Sequence, residues 1–394
     1  MSKRERRIVN EARWADGLMI SNRLSEITYD PMRSQEEFVV RLMYENARTD
    51  YGLKMGFSGI HSMEDFRECL PLTSYDDYPA YIERIANGEK NVLTVYNPVH
   101  FSLLSGSRKL PVSRWDVQMA YDYTFCSSFY VAGCNRLLTD GMTLNLVDNS
   151  VDRLPTDIPV GNLLGRLLVK RKFDNDQIYV IPVEVANSQE QDDINYLQAL
   201  FALKQADISL AMCEHYYYML NLLHYIEKYW PKLADAIEQG NPMLPPDVKR
   251  AKWIREVMES HHMGTQLVPL LWPELRCIMV FDVDGLNTSF EMLRTYCGAN
   301  VHFIFTGISS PEGTFSTVIH LDDPQTVLIP DSVFYEFKPK EANGQLLTLD
   351  QLEIGKSYEL IITNLSGLYR YQTHKTILVV GYYHDTPTVI IDKG

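Results

Sequence analysis

Arg276-Cys277-Ile278-Met279-Val280-Phe281-Asp282-Val283, then Thr288-Ser289-Phe290-Glu291-Met292-Leu293-Arg294-Thr295-Tyr296, then Asn300-Val301-His302-Phe303-Ile304-Phe305 follow one another along the chain. The first and third runs read as buried strands and the middle run as a helix. Strand, helix and strand in that order imply a parallel sheet and an α/β body. Upstream, Leu222, Ile226, Trp230, Leu233 and Ile237 recur at steps of three and four, which predicts a long helix between about Met212 and Gln239, stopped by Gly240. Pro231 marks a kink or a break between two helices there. Downstream of Glu312 the texture becomes short strands with almost no helix: Thr317 to Leu321, Val327 to Ile329, Val333 to Phe337, Tyr358 to Thr363, Thr376 to Tyr383 and Thr388 to Ile391. These predict a small β-barrel or sheet, residues 321–394, appended to an α/β body, residues 1–320.

Toward the N-terminus, Glu36, Phe38, Val39, Leu42 and Tyr44 sit near a helical period that ends around Asp50-Tyr51-Gly52, with Gly52 as a cap. Ser62-Met63-Glu64-Asp65-Phe66 reads as a helix start, and Val92 to Tyr96, Val99 to Leu104 and Ile178 to Val185 as strands.

Composition excludes several classes. A chain of 394 residues with 45% hydrophobic content and a formal charge of -14 is globular and unsuited to non-specific nucleic-acid binding. Lys3-Arg4-Glu5-Arg6-Arg7 is followed by no apolar stretch, so it is neither a signal peptide nor a polybasic anchor. No apolar run reaches the roughly 18 to 20 residues that a membrane span needs. The six cysteines, Cys69, Cys126, Cys134, Cys213, Cys277 and Cys297, are scattered with no CxxC pair, as in a reduced cytoplasmic protein.

Five blocks occur in order. Pro71-Leu72-Thr73-Ser74-Tyr75-Asp76-Asp77-Tyr78 leads into Tyr81-Ile82-Glu83-Arg84-Ile85-Ala86-Asn87-Gly88-Glu89. Ile226-Glu227-Lys228-Tyr229-Trp230 precedes Asp235 to Gly240. Leu271-Trp272-Pro273-Glu274-Leu275, Phe334-Tyr335-Glu336-Phe337 and Gly367-Leu368-Tyr369-Arg370-Tyr371 complete the set. Together they resemble the acyl-acid amido synthetases, the plant auxin- and jasmonate-conjugating family of adenylate-forming enzymes. The resemblance runs from about Asn46 to Pro387. It implies an adenylation domain of parallel sheets flanked by helices with a small β-barrel. It also implies a mobile C-terminal lid domain, which is expected to be absent from this chain because Gly394 falls where it should begin.

That resemblance implies ATP, Mg²⁺, a small carboxylic acid and an amino acid as the molecules handled. Its phosphate loop corresponds to Ser105-Gly106-Ser107-Arg108-Lys109, shorter here than in the family, with Ser105, Gly106, Ser107 and Lys109 expected around the phosphates. Its second motif places Glu312 on Mg²⁺, but puts Ile308 where an adenine-side tyrosine belongs and Pro311 where a hydroxyl residue belongs. Its third motif places Arg370 and Tyr371 close to the nucleotide, with Lys375 in place of the ribose-holding aspartate; an ammonium cannot accept the ribose hydrogen bonds. Taken without the family, Ser-Gly-Ser and Pro311-Glu312-Gly313 are ordinary turns. The acid is expected in an apolar pocket between the parallel sheet and the long helices, with Tyr217 or Tyr218 contributing, although core packing is the plainer reading of Tyr216-Tyr217-Tyr218. His261-His262 reads as a loop pair more than a ligand pair, and Asp282 and Asp284 as a solvated strand end more than a cation site. Three functions stay open: an acid–amino acid ligase, an inactive homologue that binds or regulates, and a ligase that delivers its acyl group to coenzyme A.

Overall fold

The computed structural model describes residues 1–104, 106–147, 151–170, 178–182, 185, 191–281, 288–340 and 345–393. Its centre is a parallel sheet of Met142–Leu146, Ile208–Cys213, Cys277–Val280 and His302–Phe305, paired in that order. Both faces are covered. Ile278, Val280, Phe303 and Phe305 turn to a core shared with the helices Tyr216–Gln239, Val248–Ser260 and Thr288–Cys297. Cys277, Met279, Phe281 and Ile304 turn the other way, onto residues 117–137. Period-two alternation within buried runs sorts the strand side chains between two helical layers, which is why these strands read as uninterrupted apolar stretches.

The long helix begins later than expected, at Tyr216, because the fully buried run Ile208–Cys213 is taken by the sheet. It also passes through Pro231 as one helix. Ile226, Leu233, Ala234 and Ile237 are all buried on its core face, and that packing outweighs the roughly 3 kcal/mol a mid-helix proline costs.

The C-terminal strands form an antiparallel sheet in the order Ser316–Val318, Thr326–Leu328, Thr386–Ile391, Tyr371–Tyr383, Ser357–Thr363 and Phe334–Pro339. Among the described residues the two outer strands do not pair, so of barrel or sheet the chain forms the open sheet. Its apolar face shares one core with the helices Pro31–Asn46, Met63–Cys69 and Pro79–Ala86. A third, smaller sheet holds the hairpin Pro98–Leu103 and Lys109–Ser113 beside Pro159–Gly161 and Val151–Arg153.

Three local expectations fail. Val92 to Tyr96 is not a strand: Val92 and Leu93 are buried, but the Val92 carbonyl accepts from Tyr51 N and Val95 N donates to the Asn46 side chain, so no strand partner is left to take them. Gly52 is not a cap but an interior residue of the helix Asp50–Met55, where a Cβ would lie 2.0 Å from the Asn46 carbonyl oxygen. Of Ile178 to Val185, Tyr179 makes a single bridge to Thr143, and Val183 and Glu184 lie outside the described residues. Among the described residues no helix is long and apolar enough to cross a membrane.

Candidate active site

In an open parallel sheet, ligands collect beyond the carboxyl ends of the strands. Here that edge is followed by a two-stranded hairpin, Ser309–Ser310 with Gly313–Thr314, which carries Pro311-Glu312 at its tip. The turn reading of Pro311-Glu312-Gly313 therefore describes the backbone, yet Glu312 is buried. Its carboxylate accepts from Ser310 Oγ at 2.5 Å and its carbonyl accepts from Asn364 Nδ2 at 2.8 Å. Asn364 in turn accepts from Leu368 N at 3.0 Å, tying the hairpin to the Gly367–Tyr371 block.

Tyr371 is the hub. Burial pushes its phenol up to about 12, and the negative charge of Glu312 adds to the shift while Arg108 opposes it. Tyr75 and Asp76 act on it as well. Tyr371 is fixed by its strand and by a bridge to Thr73: Thr73 N donates to the Arg370 carbonyl at 3.0 Å and Gln372 N to the Thr73 carbonyl at 2.9 Å. Two blocks far apart in sequence, Pro71–Tyr78 and Gly367–Tyr371, are thus zipped together beside Glu312.

The loop Leu104–Arg108 closes the neighbouring hairpin, with Leu104 N donating to the Arg108 carbonyl at 2.8 Å. Gly106 and Ser107 are exposed in that turn, and Ser105 lies outside the described residues. The two basic residues part company. Lys109 holds its ammonium 5.8 Å from the Phe101 ring centroid, whereas the Arg108 guanidinium stands 5.3 Å from the centroid of Tyr75, on the Tyr371 side. Arg108 is the cation that sequence reading passed over. Arg108 lies in the turn ahead of the strand Lys109–Ser113, so no strand pattern in the sequence tells which of the two basic residues faces Tyr75.

The Arg370 guanidinium is held by protein groups. Its guanidinium donates to both carboxylate oxygens of Glu336, at 2.7 and 2.8 Å, and to the carbonyls of Arg67 and Leu70 at the end of the helix Met63–Cys69. Glu336 also accepts from Arg67 Nε at 3.2 Å. Ile308 is packed in the core shared with the C-terminal sheet, and Lys375, half-buried just past the bulge at His374, has no bond to its ammonium among the described residues.

Beside the Glu312 hairpin lies a wide helical turn, Tyr121–Cys126, of π type, inserted between the helices Arg114–Ala120 and Ser127–Cys134. Such turns are uncommon and recur at functional sites. Thr124 Oγ1 is 3.5 Å from Ser309 Oγ, which is 3.4 Å from Thr314 Oγ1. Asp116, at the start of this helical segment, is buried and accepts from Ser113 Oγ at 2.6 Å and from Ser366 Oγ; burial holds its carboxyl above the usual range.

Other expectations separate from the site. Tyr217 is exposed, 4.7 Å from the His215 ring, and Tyr218 packs against the main core. His261 lies in a loop with Nε2 2.8 Å from Glu227, and Asp282 and Asp284 lie outside the described residues. A groove of about 860 Å³ lined by residues including His262, Arg294 and His302 sits at the opposite end of the sheet, where His302 begins its strand. Among the described residues no three His, Cys, Asp or Glu side chains converge on a metal cage. Mg²⁺ bound with a nucleotide needs only one or two carboxylates, the phosphates and water supplying the rest, and Glu312 is the carboxylate the hairpin offers.

Comparison with known proteins fits this geometry. The GH3 family N-terminal domain matches residues 20–301 and the GH3 family central domain matches residues 326–392. The chain is 26% identical to the indole-3-acetic acid-amido synthetase GH3.8 of Oryza sativa subsp. indica, covering 92% of this chain and 66% of that protein. It is 24% identical to the indole-3-acetic acid-amido synthetase GH3.3 of Arabidopsis thaliana, covering 92% and 67%. Its fold matches the GH3.15 acyl acid amido synthetase in complex with 2,4-DB, with a TM-score of 0.83 at 18% identity over 95% of this chain and 70% of that one. The chain thus spans about two thirds of the length of these relatives. From the parallel sheet to the zipped blocks around Tyr371, it belongs to the GH3 family.

Proposed function

We propose that this chain activates a small carboxylic acid on ATP and passes the acyl group to the amine of an amino acid. The observation that carries this reading is the convergence of Glu312, Tyr371 and Arg108 beyond the carboxyl edge of the parallel sheet, in a chain of this family. A carboxylate oxygen of the acid would attack the α-phosphorus of ATP, and the bond to pyrophosphate would break. The amine nitrogen would then attack the acyl carbon, releasing AMP and a proton. The backbone N–H groups of Gly106 and Ser107 and the Arg108 guanidinium would hold the outer phosphates, with Lys109 behind them. Glu312 would hold Mg²⁺, which when bound offsets phosphate charge. Tyr371, protonated through neutral pH, can donate a hydrogen bond but not act as a base. The acid and the amine come from the names of the relatives, and cytoplasmic placement from six cysteines that are all free thiols.

Binding without turnover is a second reading, favoured by Ile308 buried in the core and by an ammonium at Lys375 where a ribose needs an acceptor. Calorimetry of ATP·Mg²⁺ with the purified chain, and with Glu312→Ala, separates the two. Micromolar binding lost in the variant supports adenylation and justifies a screen of acids by pyrophosphate release. No heat at millimolar ATP overturns nucleotide use and leaves the binding reading.

A further inference from the structure

The helix Lys3–Tyr29 begins ahead of the family match, which starts at residue 20, and it runs along the back of the segment Tyr121–Cys134. Two glycines, one on each side, make the close contacts: Gly17 meets the backbone of Cys126 and Tyr130, and Gly133 meets the Trp14 indole. A Cβ on Gly17 would lie 2.2 Å from the Cys126 carbonyl oxygen and 2.8 Å from Tyr130 Cβ; a Cβ on Gly133 would lie 2.1 Å from Trp14 Cδ1. Nothing larger than hydrogen fits at Gly17 without moving backbone, or at Gly133 without displacing the Trp14 indole.

The helix is pinned at both ends. Arg6 pairs with Asp207 at 2.7 Å and donates to the Asp140 carbonyl at 2.7 Å, while Asn10 donates to the Thr139 carbonyl at 2.6 Å; these acceptors precede the sheet strands Met142–Leu146 and Ile208–Cys213. Farther along, Arg23 pairs with Asp331 at 2.5 Å. The other Asp331 oxygen accepts from the Tyr123 phenol at 3.2 Å, and Tyr123 belongs to the π-type turn. Tyr123 is fully buried against Leu24, Met119, Val327 and Ile329, and its carbonyl accepts from Thr317 Oγ1. On the far side of the same turn Thr124 meets Ser309, in the hairpin that carries Glu312.

A π-type turn spends an extra residue for poorer backbone hydrogen bonding than the α-helix it interrupts, so it persists where its surroundings hold it. We propose that the N-terminal helix is a brace, with Gly17, Trp14 and Arg23 as positioning residues that hold the Tyr121–Cys126 turn and, through Thr124 and Ser309, the Glu312 hairpin. That this hairpin faces a nucleotide rests on the function proposed above; the brace itself does not.

Hydrogen–deuterium exchange of the ligand-free chain tests it, comparing Arg23→Gln, Arg23→Lys, Gly17→Leu and, as a control on the exposed face of the same helix, Met19→Ala. The brace predicts about tenfold faster exchange across residues 119–128 and 307–316 in Arg23→Gln and Gly17→Leu. It predicts unchanged exchange in the strands Ile208–Cys213 and Ser357–Thr363, recovery in Arg23→Lys, and no effect of Met19→Ala. Should Gly17→Leu fail to fold, the Arg23 pair still decides. Exchange that stays unchanged at both segments, or rises equally in every strand, overturns the brace. ATP·Mg²⁺ titration of the same proteins keeps the two ideas apart. A wild-type chain that binds no nucleotide sinks the functional reading alone, and one whose affinity is equal in Arg23→Gln despite faster exchange shows that the brace does not serve the site.

Discussion

Replacing Arg370 by methionine should cost the protein about 4 kcal/mol of stability while leaving no direct gap in ligand contact. The Glu336 carboxylate it faces is 1% exposed and the Arg370 side chain 9%. Removing one partner of a buried ion pair costs roughly 3–5 kcal/mol, because the other charge is stranded. Glu336 keeps Arg67 at 3.2 Å, which puts the loss at the low end of that range. Two donors to the Arg67 and Leu70 carbonyls vanish too, adding about 1 kcal/mol. Urea unfolding of Arg370→Met, Glu336→Met and the double variant gives the cycle, and the double variant should cost well under the sum of the singles, since apolar groups then face each other. The sequence alone placed Arg370 beside the nucleotide, and that idea predicts the reverse pattern. An Arg370→Met protein within about 0.5 kcal/mol of wild type that has lost nucleotide binding would refute the structural reasoning.

Glu227 supplies a pH prediction. Its carboxylate is buried, which alone would raise its pKa, but hydrogen bonds from Tyr296, His261 and Gly264 N outweigh this and hold it below the usual range. A group whose folded pKa is depressed stabilises fully above its unfolded value, about 4.3, and loses that contribution as pH falls through the folded value. Urea midpoints should therefore decline on acidification below that point in wild type, and Glu227→Gln should lose part of that decline. Two glycines with positive φ should respond unequally to alanine. Gly307, at φ 122, would put a Cβ 2.0 Å from the Ser316 carbonyl oxygen, so Gly307→Ala should cost more than about 2 kcal/mol by chemical denaturation. Gly106, at φ 76 with open space around it, should cost only about 1 kcal/mol.

Texture that extends over many residues was legible. The strand–helix–strand run from Arg276 to Phe305 is in the parallel sheet, and each C-terminal strand expected from Thr317 to Ile391 has a counterpart in the open sheet. What failed depended on partners distant in sequence. Val92 to Tyr96 has the residues of a strand but is met by the helix Asp50–Met55 and by Asn46 in place of another strand. Pro231 carries a strong local signal, yet the buried stripe from Ile226 to Ile237 overrides it. The start of the long helix was misplaced because an apolar run such as Ile208–Cys213 has no periodicity that separates a buried strand from a buried helix.

The site shows the same division between what a motif names and what a fold aims. The sequence singled out Glu312 and Tyr371, and they do fall in one charge cluster, because one follows the last parallel strand and the other is zipped to Thr73. It also chose Lys109 over Arg108 and put Arg370 with the ligand. The structure places both side chains by contacts that no motif shows: Arg370, at φ 48 just ahead of the strand Tyr371–Tyr383, has its guanidinium on Glu336, and Lys109, first residue of its strand, has its ammonium over Phe101. With Lys109 over Phe101, Arg108 is the basic residue that stands beside Tyr75 on the Tyr371 side. Arg108→Met should then weaken ATP·Mg²⁺ binding by about tenfold, the worth of a charge-assisted contact, and Lys109→Met by distinctly less. A larger loss from Lys109→Met would show that the lysine swings off Phe101 to reach the phosphates, and that the ligand-free direction of the two side chains does not decide which one binds.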